Sequence, residues 1–149
     1  MVETFAGEWR GMVDNSEHWR EIDPRERALL MHLVRGEFQG KAEILQQMNS
    51  VEVMRVSSEG SLRLRTSGPV ADVRDNDAPS PRANDKIPVE GFYDDEADDK
   101  KSFLSVAKLV RLALHVTDGR LSELEIYKED GSTIVTGPYE IDLSRVHFY

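Results

Sequence analysis

Three stretches of the chain carry apolar residues in every second position, the period that sends alternate side chains to opposite faces of a strand. The first runs from Val51 through Val56 and resumes at Leu62 to Leu64; the second and third lie between Lys108 and Val135. Short turns ending in glycine interrupt them: Ser58-Glu59-Gly60, Thr117-Asp118-Gly119 and Glu129-Asp130-Gly131. Residues directly opposed across a hairpin share a face, so the apolar positions select the register. A two-residue loop at Asp118-Gly119 sets Leu114 against Glu123 and Leu112 against Glu125. A three-residue loop from Thr117 to Gly119 instead sets Leu112 against Leu124 and Val110 against Ile126. It also puts glycine last, where the three-residue hairpin needs a left-handed residue. The same rule pairs Ile126 with Ile134 across the third turn, and Val56 with Leu62 and Met54 with Leu64 across the first. The expectation is a meander with three-residue turns.

Helical spacing appears earlier. Asp23 is a good N-cap, Pro24 suits the first helical position and Glu26 stands at the capping-box position. Leu29, Leu30, Leu33 and Val34 follow as an apolar stripe, and Gly36 supplies a stop. A shorter helix is expected from Lys41 to Met48, with Ile44, Leu45 and Met48 inward and Gln46 and Gln47 partly outward. Trp9 and Trp19 are expected to anchor the N-terminal segment, since large aromatics bury the most area. Residues 69–73 can add an edge strand, residues 75–86 read as a loop, and Ile87 to Tyr93 resume extended structure. The tail from Gly137 to Tyr149 is apolar enough to be packed. Together these elements predict one α+β domain over residues 1–149: two N-terminal helices on a mostly antiparallel sheet of about five or six strands.

Composition narrows the function classes. The 149 residues include no cysteine, which removes disulfides, thiolate metal sites and thiol nucleophiles. The formal charge of −9 opposes nucleic acid and anionic membranes as partners and suits a basic protein. The start, MVETFAGEWRG, lacks the basic and apolar regions of a signal peptide, and no apolar run is long enough to span a bilayer. A cytoplasmic protein is expected.

Candidate chemistry is sparse. The run Asp94-Asp95-Glu96-Ala97-Asp98-Asp99 lacks the central glycine and terminal glutamate of an EF-hand loop, and Lys100 and Lys101 adjoin it. It is either a solvated loop or a contact surface for a basic partner. His18, His32, His115 and His147 show no metal-ligand spacing, so no metal or cofactor is expected. His115 is predicted on the same face as Glu123 and Glu125, a grouping an unrecognised enzyme would use. Arg111 is predicted opposite Glu125. Arg55 is predicted opposite Arg63, with Arg65 on the same outward face. Their like charges require acidic neighbours or an anionic ligand.

Three blocks carry a resemblance: Phe38-x-Gly40-x-x-x-Ile44-x-x-Gln47-Met48, Ile87-Pro88-Val89-Glu90, and Leu114-His115-Val116-x-Asp118-Gly119-x-Leu121-x-Glu123-Leu124-Glu125-Ile126-Tyr127. With Trp19 to Ile22 and Glu26 to Leu30, they resemble a family of small uncharacterised bacterial proteins over roughly residues 19–135. Longer loops at 75–86 and 94–107 depart from it. The resemblance implies an α+β fold and brings no catalytic residue.

The functional expectation is a non-catalytic protein-binding module, in its narrowest form an immunity protein that neutralises a basic bacterial toxin through Asp94, Asp95, Glu96, Asp98 and Asp99. The alternatives are a small-ligand or anion-binding domain using Arg55, Arg63, Arg65, His115 and Glu123, or an enzyme using His115, Glu123 and Glu125.

Overall fold

A computed structural model of the chain describes residues 18–75, 84–95 and 109–148. Among these the elements run β1 (Arg20–Glu21), α1 (Pro24–Leu33), α2 (Lys41–Gln47), β2 (Glu52–Arg55), β3 (Leu62–Arg65), β4 (Asp85–Asp94), β5 (Leu109–Thr117), β6 (Arg120–Lys128) and β7 (His147–Phe148). The seven strands form one sheet in the order β1-β2-β3-β6-β5-β4-β7, every neighbour antiparallel. The α+β class is as expected. The sheet is wider than five or six strands because both edges gain two-residue strands, and β1 precedes the helices, which therefore sit mid-chain.

Helix α1 forms as its caps require. The Asp23 carboxylate accepts from the Glu26 N–H and Glu26 reaches back to the Asp23 N–H, a complete capping box. Leu29, Leu30, Leu33 and Val34 are all buried, and Ile44 and Met48 of the second helical segment join them against the apolar face of the sheet. Gly36 is not left-handed, so the helix ends without the glycine device expected there.

Gln47 lies inside rather than partly outward, fully buried and fully satisfied. Its amide donates to Pro69 O and Gly119 O, both at 2.8 Å, while its carbonyl accepts from Leu121 N at 2.9 Å and Thr66 Oγ1 at 3.4 Å. One side chain thus ties α2 to residues 66–69 and to the β5–β6 turn.

The hairpins differ from the expected three-residue turns. Between β5 and β6 the loop is Asp118-Gly119, both with positive φ, closed by the pair Thr117 and Arg120. Val116 then faces Leu121, but His115 faces Glu123, so Ser122 is an extra residue in a bulge. The bulge restores the apolar register, pairing Leu114 with Leu124 and Leu112 with Ile126. Between β2 and β3 the pairs are Arg55 with Leu62, Met54 with Arg63 and Val53 with Leu64. That offset, one residue from the expected one, places Val53 and Arg55 on the helix side and Met54 and Val56 on the other. After the third turn no strand follows among the described residues; Ile134 packs on the core from an irregular segment. Residues 69–73 also form no strand, though Ala71 and Val73 are buried. The tail is packed, with Ile141 and Val146 in the core and the Tyr139 hydroxyl donating to Gly60 O at 2.6 Å.

Candidate functional site

The face of the sheet turned away from the helices carries a group of ionisable side chains centred on His115. Strand parity and the Ser122 bulge put His115 directly opposite Glu123 and diagonal to Glu125, while Thr117, two residues on, faces Asp85 at the start of β4. Both imidazole nitrogens are engaged. Nδ1 lies 2.9 Å from Asp85 Oδ2 and Nε2 lies 2.9 Å from Glu125 Oε1. Thr117 Oγ1 donates to the second Asp85 oxygen at 3.1 Å, and Thr117 and Ser122 hydroxyls meet at 2.8 Å.

An ionised carboxylate only accepts hydrogen bonds, so two such contacts require a ring that donates from both nitrogens. That ring is the imidazolium. Burial alone disfavours the charged form, but hydrogen bonds to Glu125 and Asp85 and the charges of Asp85 and Glu123 outweigh it, raising the pKa from 6.5 to about 9. Asp85 is fully buried and Glu125 stands half in solvent, so the cation is held from inside and screened from outside. A protonated ring with no open nitrogen cannot serve as a general base at neutral pH. Its geometry is that of a cross-strand clamp binding β4, β5 and β6.

Asp85 and Thr117 were not legible as partners of His115. Asp85 falls in the stretch read as a loop, and its role depends on β4 beginning two residues before Ile87. Extending that strand backwards beside the β5 hairpin was the signal available.

The other predicted residues scatter. Arg55 does not lie opposite Arg63: it sits on the helix side, 3.6 Å from Glu26, with its guanidinium over the Tyr139 ring. Glu26, wholly buried, is held bidentately by Arg20 at 2.8 and 2.6 Å. Arg65 pairs with Glu52 at 2.7 Å and stacks on Trp19, while Arg63 faces Glu123 in the register. The three arginines therefore do not converge as an anion site. Arg111 faces Tyr127 rather than Glu125 and pairs with Glu129 at 3.2 Å.

Asp95 is no surface contact. Its side chain is fully buried, 2.9 Å from the equally buried Lys128, and accepts from Val135 N at 2.7 Å and Thr136 N at 3.0 Å. Burial opposes its charge, but those backbone bonds and Lys128 win and hold its pKa below the usual carboxylate value. The pair fastens the end of β4 to the segment after β6. Asp94 ends β4, half-buried. Glu96, Asp98 and Asp99 lie outside the described residues. Among the described residues no group of three or more His, Asp or Glu side chains is arranged to hold a metal ion, and no helix is long and apolar enough to cross a membrane.

The fold and this cluster define a small α+β domain whose most chemistry-like residues brace its own sheet. The chain belongs to the family described as Domain of unknown function (DUF6984), whose model matches residues 19–138. No curated protein and no solved structure matches it.

Proposed function

We propose that this is a non-catalytic protein-binding module of the cytoplasm, and in its narrowest form an immunity protein that neutralises a basic toxin. The observation that carries this reading is the closed pairing of His115: among the described residues, this grouping with the composition of an acid–base site is occupied by its own carboxylates. The formal charge of −9 supports a basic partner, whose encounter it would accelerate. Occlusion of a toxin needs complementary surface and no active site. Asp94, Glu96, Asp98 and Asp99 are the proposed contacts of the acidic run; Asp95 is buried and is not among them.

The test is affinity capture from the native host with purified protein, followed by expression of any captured basic protein with and without it. A stoichiometric partner that is toxic alone and harmless in co-expression supports the proposal. Capture of no such partner, alongside a small molecule that raises the melting temperature, overturns it.

A further inference from the structure

Asp-Gly occurs twice in the chain, at Asp118-Gly119 and Asp130-Gly131, each time in a turn whose glycine has positive φ. In this dipeptide the side-chain carboxyl is open to attack by the next backbone nitrogen, because glycine has no Cβ to crowd that nitrogen. The fold treats the two turns differently. Between β5 and β6 the Asp118 N–H donates to Asn84 O at 3.0 Å, and Asn84 Nδ2 donates to both Asp118 carboxylate oxygens at 3.3 Å. Gly119 O accepts from Ala71 N at 2.9 Å and from Gln47 Nε2 at 2.8 Å. Val70 packs so closely that a Cβ on Gly119 would meet it at 2.0 Å. The turn after β6 stands in solvent instead. Glu129, Asp130 and Gly131 are all exposed, and a Cβ on Gly131 would meet nothing within 4 Å. The Asp130 carboxylate accepts from Ser132 N at 3.0 Å, which folds it over the Gly131 nitrogen. That nitrogen donates to Lys128 O at 3.0 Å, a bond that an exposed turn opens at little cost.

We propose that Asp130 is a site of spontaneous isoaspartate formation, while the fold protects Asp118. The Gly131 nitrogen gives up its proton and bonds to Asp130 Cγ, and a carboxyl oxygen leaves as water, which closes a succinimide ring. Water then adds at the former main-chain carbonyl of Asp130 and breaks its bond to the nitrogen. The chain now continues through Cβ and Cγ, and the α-carboxyl is set free. Water leaves and returns, and nothing is oxidised or reduced. The product is an isomer whose main chain is longer by a methylene group, a covalent change that alters the local physics as surely as an added group does. The lengthened segment is the one that brings Thr133 O to within 3.2 Å of Lys128 Nζ and carries the Val135 and Thr136 N–H groups to Asp95. Isomerisation therefore loosens the buried pair that fastens the end of β4. This inference is independent of the protein-binding reading.

The experiment ages the purified full chain for several weeks at neutral pH and physiological temperature, with a parallel sample held unfolded in urea. Both are peptide-mapped with electron-transfer fragmentation, which separates isoaspartyl from aspartyl linkages. In the folded sample isoaspartate is expected to accumulate about tenfold faster at Asp130 than at Asp118, the factor that a modest difference in local opening supplies. In urea the two sites are expected to react at comparable rates. No isoaspartate at Asp130 in the folded protein, or equal accumulation at both sites there, overturns the proposal. A bias that persists unchanged in urea overturns the protection of Asp118 by the fold. Asp130→Glu provides the second arm, since its longer side chain disfavours ring closure and the position is exposed. Aged wild type is expected to melt a few degrees below its fresh sample, and aged Asp130→Glu to keep its melting temperature. Equal losses in the two overturn the loosening of the Asp95–Lys128 pair by isomerisation.

Discussion

Replacing His115 with glutamine removes a cation that the fold has placed between Asp85 and Glu125, and its cost follows from the geometry. The pKa rise from 6.5 to about 9 corresponds to roughly 3 kcal/mol, at about 1.4 kcal/mol for each pH unit. Glu125 is partly in solvent, which screens its share, so the expected loss is about 2 to 3 kcal/mol at pH 6. The sign is set by linkage. The folded-state pKa lies above the unfolded one, so the stabilisation is complete below about pH 6.5 and is lost as the pH rises through about 9. Urea denaturation of wild type and His115→Gln at intervals from pH 6 to pH 10 reads this directly, and the difference between the two cancels groups they share. The gap is expected to be widest at pH 6 and to close above pH 9, while the ring resonances of His115 titrate near 9. A gap that stays flat across the series, or a ring that titrates near 6.5, refutes the clamp.

Five further substitutions test the packing. Lys128→Met strands the buried Asp95 carboxylate and is expected to cost about 3 to 5 kcal/mol in urea denaturation. Because the Asp95 pKa is lowered, the stability it contributes is present above about pH 3.8 and is lost as the pH falls below that, giving wild type an acid transition that Asp95→Asn blunts. Gln47→Leu takes the side-chain partner from the Leu121 N–H and the Pro69 carbonyl, leaves Gly119 O with the Ala71 N–H alone, and is expected to cost on the order of 3 kcal/mol by the same assay. Two glycines with positive φ separate backbone strain from crowding. Gly119→Ala drives its Cβ to 2.0 Å from Val70 Cγ1 and is expected to lower the melting temperature severely, whereas Gly131→Asn, with nothing within 4 Å, is expected to shift it by only a few degrees.

Local signals were legible in the sequence, and offsets between distant segments were not. The α1 cap, its leucine stripe and the inward set of β5 follow from spacing alone, because each is decided within a few residues. Matching apolar residues across a turn chose the wrong loop twice. At Asp118-Gly119 an apolar match of other pairs, Leu114 with Leu124 and Leu112 with Ile126, is reached by a two-residue turn plus a bulge at Ser122, which a regular ladder cannot represent. At the first hairpin the Glu26 charge, with Arg20 already beside it, draws Arg55 to the helix side. Asp95 sat within an acidic run and read as solvated, but Lys128, 33 positions along the sequence, recruits it inward. For the candidate site, His115, Glu123 and Glu125 were grouped from strand parity. Asp85, which completes the clamp, comes from a neighbouring strand whose start carries no apolar signal.

Growth protection is the most direct measurement of the protein's role. Cells expressing the captured basic partner are grown with wild-type protein or with His115→Gln, its fold verified by circular dichroism. Both are expected to restore growth, since the proposed immunity role needs binding and no chemistry at His115. Failure of wild type to protect, or loss of protection in the folded His115→Gln variant, contradicts a non-catalytic immunity role.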